Sequence, residues 1–346
     1  WSRDGQWDQI SDFWQRLQKI TRPIGKLKHD VSFNDFLRSR RSLSPRQREE
    51  AISFVEGYHA AHADRISAMT LDSSDEEQDD DSGGQKQFRI LNGYDAVIEW
   101  LRAGLHPERS EVRLETTVRQ ISWSEGEVTV DCLRGKSEQT VRAAAAIVTV
   151  PIGVWKAARE QEGSIRFDPA LDEKTRAIAK IEVGHVVKIM FRFRERFWEE
   201  RDGDEAVAFI HSTDRFVPTW WTATPVRSPI LTAWAGGHAA DGLLAESDEG
   251  MIDRVLDSMS KTFRQRRRTI DDLLAGAYSH NWQSDPFSRG AYSYAGVGGS
   301  GAHKTLSRPI GSTLFFAGEA TNAEQTGTVA GAIESGVRAP REVSKA

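Results

Sequence analysis

The spacing of apolar residues changes along the chain and divides it into blocks. Trp7, Ile10, Phe13, Trp14 and Leu17 recur at helical spacing, and Ser44-Pro45 opens a second helix carrying Ile52, Phe54 and Val55. Residues 1–87 are therefore expected to be mainly helical. Phe88 to Leu91 leads into Asn92-Gly93 and a helix with Val97, Trp100, Leu101 and Leu105 on one face. Val112, Leu114, Thr116 and Val118 alternate with polar residues, as do Val128, Val130 and Cys132 beyond a turn at Glu125-Gly126. Both runs predict half-buried strands. The continuous apolar run from Ala143 to Val150, closed by Pro151, predicts a strand buried on both faces.

From residue 152 to 280 the pattern differs. A strand spans Val186 to Phe193, aromatic strands surround Phe209, Trp220, Trp221 and Trp234, and a helix runs near Glu249 to Phe263. The basic residues Arg264 to Arg268 are expected to close that helix, because cations suit a helix C-terminus. Residues 281–346 return to glycine-rich turns, a short strand and a final helix. The chain thus reads as α/β, mixed with α+β character, in four segments: 1–87, 88–151, 152–280 and 281–346. The second and fourth would belong to one domain, and the first and third to another.

Composition narrows the class. The 346 residues are 38% apolar and 28% charged, enough for a sizeable core, and exclude a collagen-like or wholly disordered chain. A net charge of -5 offers no general attraction to nucleic acid or anionic lipid. No run of about 18 apolar residues predicts a membrane span. The single cysteine, Cys132, forms no internal disulfide and allows a reducing compartment, so an intracellular, cytoplasmic location is expected. Asp72 to Gly84 packs like charges densely enough to predict a solvated loop, with a basic protein as the partner it would suit. His59 and His62 are read one turn apart on the second helix; two histidines fall short of a zinc ligand set, so no metal site is predicted.

The C-terminal block carries the strongest chemistry. Thr313 to Ala317 reads as a buried strand, followed by Gly318-Glu319 and then by Gly327 and a helix starting near Thr328. Gly318 lets backbone approach a ligand, and Glu319 can accept hydrogen bonds from sugar-type hydroxyls. The free N–H groups at Thr328 and Val329 favour negative charge. Gly296 to Gly301 satisfies G-x-G-x-x-G literally, but no buried strand precedes it and Pro309 follows too soon for a full helix. It is read as a turn.

This segment resembles the C-terminal flavin-binding signature of the flavin-containing amine oxidases, the family of polyamine oxidases, monoamine oxidases and lysine-specific histone demethylases. Asn281-Trp282 through Asp285-Pro286-Phe287, Arg289-Gly290 and Tyr292-Ser293-Tyr294 resembles the family's preceding stretch. Gly184 to Phe193, with Phe197-Trp198, resembles its lysine-bearing strand. Ile90 to Tyr94, Thr117 to Ile121 and Val148 to Gly153 match three further segments in order. The resemblance covers roughly residues 88 to 338. It implies a two-domain fold: an FAD-binding domain incomplete at its N-terminus, and a mixed-sheet substrate domain with helices.

It also implies roles. Val118 would hold adenine through its backbone, and Glu319 would bond ribityl or ribose hydroxyls. Gly318 and Gly327 would lie against the cofactor, with Thr328 and Val329 presenting N–H groups to the flavin pyrimidine edge. Lys188 would position a water near flavin N5, and burial there would lower its pKa. Trp282 would pack on the flavin ring and Tyr292 would form a wall of the amine cage. Tyr294 is assigned to the core. The family opens with a βαβ dinucleotide fingerprint that this sequence lacks. The expected function is FAD-dependent oxidation of a polyamine or N-alkyl amine by hydride transfer to flavin N5 with O2 as acceptor, in truncated form. A small amine and an N-terminal flavin-binding segment are the expected partners. Two alternatives stay open: an inactive flavin-fold remnant serving protein interaction, and an L-amino-acid oxidase.

Overall fold

The computed structural model describes residues 2–3, 6–7, 13–71, 90–201 and 207–346. Ile10, Phe88 and the acidic run from Asp72 to Gly84 lie outside them. The largest unit is a five-stranded antiparallel sheet in the order Phe209–His211, Thr219–Thr222, Ile230–Gly236, Val186–Phe193 and Leu274–Ser279. Strict alternation in Val186–Phe193 sends Val187, Ile189, Phe191 and Phe193 into the core and Lys188, Met190 and Arg192 to the other face. The inner face meets helices Gly237–Leu244, Asp248–Phe263 and Arg267–Leu273 through Trp220, Leu231, Val255, Met259 and Phe263.

A second core gathers helices Phe13–Thr21, Phe33–Ser39 and Pro45–His59 around Phe33, Phe36, Leu37, Val55 and Ile66. Tyr294 belongs to that core, so the N-terminal helices share their interior with the C-terminal block. Helix Pro45–His59 starts on a capping box in which the Ser44 hydroxyl and Gln47 side chain satisfy each other's backbone amides. It stops at Ala60, which takes a left-handed conformation. His62 is consequently beyond the helix, not one turn along it from His59.

The remaining sheets build the other half. Ser137–Ala143, Glu127–Arg134, Thr116–Ser124 and Arg166–Asp168 form a four-stranded sheet, its last pair parallel. Ala146–Val148 and Leu314–Phe316 pair in parallel, and Ile181–Val183 pairs with Ser293–Ala295. Helix Val329–Val343 follows. These mixed elements agree with the expected fold class.

Several sequence expectations need correction. Trp7 sits in a two-residue strand, Gln6–Trp7, paired with Ser2–Arg3, rather than in a helix. Val112 and Leu114 precede the strand and are exposed, because pairing with Glu127–Arg134 begins only at Thr116. The run Ala143 to Val150 is divided between two strands, and Ile147 is exposed, since among the described residues only one neighbour pairs with Ala146–Val148. Helix Asp95–Ala103 buries none of its residues, so its apolar side faces solvent. Arg264 caps helix Asp248–Phe263, but Arg267 opens the next helix, where it pairs with Asp253, Asp257 and Asp271. Gly296–Gly301 is a turn before a six-residue helix, Ala302–Ser307, as expected.

Candidate functional site

The short strand Leu314–Phe316 is fully buried, and it delivers Gly318 and Glu319 to a cavity of about 450 Å3. Gly318, Glu319, Gly327, Thr328, Val329 and Tyr292 all line it, with Thr149 to Ile152 opposite. A Cβ at Gly318 would meet only the Thr149 carbonyl, at 3.7 Å, so this wall leaves room for a ligand. Gly327 is more constrained. Its φ of +76° lies in the left-handed region, and a Cβ there would reach Tyr292 Cδ2 at 3.0 Å.

Thr328 is the N-cap of helix Val329–Val343, and its hydroxyl oxygen accepts the Gly331 N–H at 2.9 Å. The amides of Thr328, Val329 and Ala330 have no acceptor among the described residues. Two of these donors, at Thr328 and Val329, and the positive end of a 15-residue helix thus meet the cavity, a setting that favours an anionic ring edge or phosphate. Room at Gly318 and the free amides fit a flavin.

Glu319 is held from both sides. Its Oε1 accepts the Ser293 N–H at 3.2 Å, and its Oε2 accepts the Ser293 hydroxyl and the Gly327 N–H at 2.9 Å each. A carboxylate offers about four lone-pair sites, so one remains for a ligand hydroxyl. Burial pushes the Glu319 carboxyl above its ordinary range against the pull of these bonds. Tyr292 donates its hydroxyl to the Tyr58 carbonyl at 2.6 Å, which fixes the ring's face, and burial raises its phenol pKa.

The sequence profile of the family described as flavin containing amine oxidoreductase matches residues 14–344. The chain belongs to that family. Among its relatives, the chain is 30% identical to polyamine oxidase 3 of Oryza sativa subsp. japonica over 94% of its own length and 65% of the relative's. It is also 30% identical to lysine-specific histone demethylase 1 homolog 3 of Arabidopsis thaliana, over 91% of this chain but 19% of that one. The chain therefore spans between about a fifth and two thirds of these relatives. Putrescine oxidase, solved with putrescine bound, shares the fold with a TM-score of 0.77 at 18% identity, covering 99% of this chain and 78% of that one. Cyclohexylamine oxidase from Brevibacterium oxydans IH-35A gives a TM-score of 0.74 at 18% identity, over 97% and 75%.

Three residues singled out in the sequence stand away from the cavity lining. Val118 lies at a register break in its strand and packs in the same apolar cluster as Val148 and Phe316, which do line the cavity. Lys188 is exposed, opposite Trp234 on the outer face of the five-stranded sheet, so the burial expected of it is not found. Trp282 is 44% exposed and meets His280 edge-to-face at 4.3 Å. Its carbonyl accepts the N–H of Gly290, a cavity residue. Tyr58 and Ser293, which anchor Tyr292 and Glu319, were not expected. No local signal marks Tyr58, 234 residues from its partner.

Proposed function

We propose that the chain is the flavin- and amine-handling part of an FAD-dependent oxidase acting on a polyamine or N-alkyl amine. One observation carries this reading: the amides of Thr328 and Val329, without an acceptor among the described residues, the Glu319 carboxylate and the Tyr292 ring converge on one cavity. When bound, FAD supplies a hydride acceptor at N5 that oxygen can regenerate. The helix amides favour negative charge where it would develop, without reorganising. Glu319 keeps Gly327 and Ser293 in place and offers its remaining lone pair to a cofactor hydroxyl. Val118 is assigned the adenine contact through its backbone. Tyr292 presents a fixed ring face to an alkylammonium, an attraction of about 0.5–2 kcal/mol. Lys188 and Trp282 are assigned a water-holding ammonium and an aromatic surface beside the flavin. The relatives' activities on polyamines support the substrate class.

The test is spectroscopic. The purified chain, titrated with FAD, is expected to bind it saturably and to lose the oxidised flavin spectrum when a diamine or N-methylated amine is added without oxygen. Bleaching by amino acids instead would select the L-amino-acid oxidase reading. A flavin-loaded chain that no amine bleaches refutes both. The reading as an interaction module is favoured by Ile98, Trp100 and Leu101, exposed together on helix Asp95–Ala103. A folded chain without affinity for FAD would support it.

A further inference from the structure

Away from the cavity, Asp241 joins two histidines from distant parts of the chain. Its Oδ2 lies 2.7 Å from His62 Nε2 and its Oδ1 lies 2.6 Å from His185 Nδ1. His62 follows the left-handed stop at Ala60, His185 immediately precedes strand Val186–Phe193, and Asp241 stands in helix Gly237–Leu244. One nitrogen from each ring and one carboxylate oxygen all fall within 4.8 Å of one another. The rings of His62 and His185 meet edge-to-face at 5.0 Å, and His238 approaches His62 at 4.8 Å while bonded to Glu56.

We propose that His62, His185 and Asp241 form a binding site for one divalent ion of the zinc type. Two imidazole nitrogens and one carboxylate oxygen suit a borderline cation and are a poor match for calcium or magnesium, which prefer all-oxygen shells. Three protein ligands leave a fourth position, and the partly exposed side chains of His185 and Asp241 open it to water. His62 is buried, with the Tyr294 hydroxyl 3.4 Å from its Nδ1. That hydroxyl can act as the outer partner that fixes the ring of a metal-bound histidine.

The ring orientations are consistent with ion binding. His62 Nε2 and His185 Nδ1 each face a carboxylate oxygen of Asp241, while His62 Nδ1 faces the Tyr294 hydroxyl. Bonds of about 2.0–2.1 Å in a tetrahedron separate ligand atoms by roughly 3.3 Å, so the two short contacts open and the widest pair closes. The site lies behind the cavity wall. Gly184, next to His185, donates its N–H to the Tyr292 carbonyl at 2.9 Å and accepts the Ala291 N–H at 2.8 Å. A bound ion would therefore brace the segment that carries Tyr292, just before strand Ser293–Ala295.

Zinc titration of the chelator-treated full chain, followed calorimetrically and by elemental analysis, tests the site without reference to flavin or activity. One equivalent should bind, and affinity should fall by more than about tenfold in Asp241→Asn and in His185→Gln. His280→Gln, which alters an exposed histidine–aspartate pair elsewhere, should leave it unchanged. No stoichiometric zinc in the unmodified chain, or undiminished affinity in either ligand variant, overturns the proposal. Should a variant fail to fold, cobalt(II) decides with the unmodified chain. Intense visible bands of a four-coordinate ion support the site, and the weak spectrum of six-coordinate aqueous cobalt overturns it.

Discussion

Replacing Gly327 with alanine tests how the cavity wall is held. Gly327 has a φ of +76°, and the added Cβ would stand 3.0 Å from Tyr292 Cδ2 and 3.5 Å from the Ser293 carbonyl oxygen. The left-handed conformation costs an L-residue about 1–2 kcal/mol. Overpacking adds roughly 1–2 kcal/mol more, because Tyr292 cannot simply swing aside: its hydroxyl is tied to the Tyr58 carbonyl at 2.6 Å. The expected destabilisation is about 2–4 kcal/mol. A 346-residue chain has an unfolding entropy near 0.7 kcal/mol/K, so the melting temperature should fall by roughly 3–5 °C.

Gly298 supplies the control. Its φ is +75°, but nothing lies within 4 Å of the place a Cβ would occupy, so Gly298→Ala isolates the backbone cost of about 1–2 kcal/mol. The excess loss in Gly327→Ala is then the Tyr292 contact. Combining Gly327→Ala with Tyr292→Phe frees the ring and should recover part of that excess, a coupling that thermal or urea unfolding of the unmodified chain, the two single variants and the double variant reads directly. FAD affinity should fall by about tenfold in Gly327→Ala, equivalent to about 1.4 kcal/mol, and stay constant in Gly298→Ala. Equal melting temperatures for the two alanine variants, with flavin affinity unchanged in both, would refute the reasoning.

Other consequences follow from buried charges and rings. Burial lowers the His59 pKa to about 4, below the 6.5 expected of the unfolded chain. Below pH 6.5 the unfolded state binds the proton first, so stability should fall with pH down to about 4, by at most about 1.4 kcal/mol per pH unit. Urea unfolding of His59→Gln across that window should show a shallower slope. Lys174 is buried, directs its ammonium at the carbonyls of Thr305, Leu306 and Arg308, and sits 4.4 Å over the Phe316 ring. Lys174→Met leaves those acceptors without their donor and should cost about 2–4 kcal/mol in thermal unfolding; a loss under about 0.5 kcal/mol would mean water replaces it. Tyr292→Ala should raise the KM for an amine by about 2- to 30-fold, the removed cation–π contact expressed as affinity, with a neutral substrate analogue unaffected.

What the sequence revealed follows a physical division. The strand Val186–Phe193 was legible because alternation is local, and its burial follows the alternation residue by residue. The C-terminal signature was legible because strand, Gly318-Glu319 and helix cap are contiguous. Contacts such as His62 with Asp241, 179 residues apart, leave no local trace. Apolar periodicity misled in two ways: the helical spacing at Trp7 falls on a two-residue strand, and elsewhere an apolar face is left uncovered. Ile98, Trp100 and Leu101 make an amphipathic helix, and Ile147 completes an apolar strand, yet all four face solvent. Periodicity says which side of an element is apolar; it says nothing about whether a partner covers that side.

The end of helix Pro45–His59 shows why two sites with no sequence neighbour in common are mechanically joined. Because Ala60 turns left-handed, the Tyr58 carbonyl is left to receive the Tyr292 hydroxyl, while the Ala60 carbonyl accepts the His185 N–H at 3.0 Å. Two residues later the chain sets His62 against Asp241. The approach is close: a Cβ at Gly184 would lie 2.8 Å from the Ala60 methyl, and one at Gly236 would lie 2.1 Å from the Glu56 carbonyl oxygen. Such packing leaves little slack for one contact to shift without the other. The wall at Tyr292 and the His62–His185–Asp241 cluster therefore respond together to any displacement of that helix end, although neither lines the other.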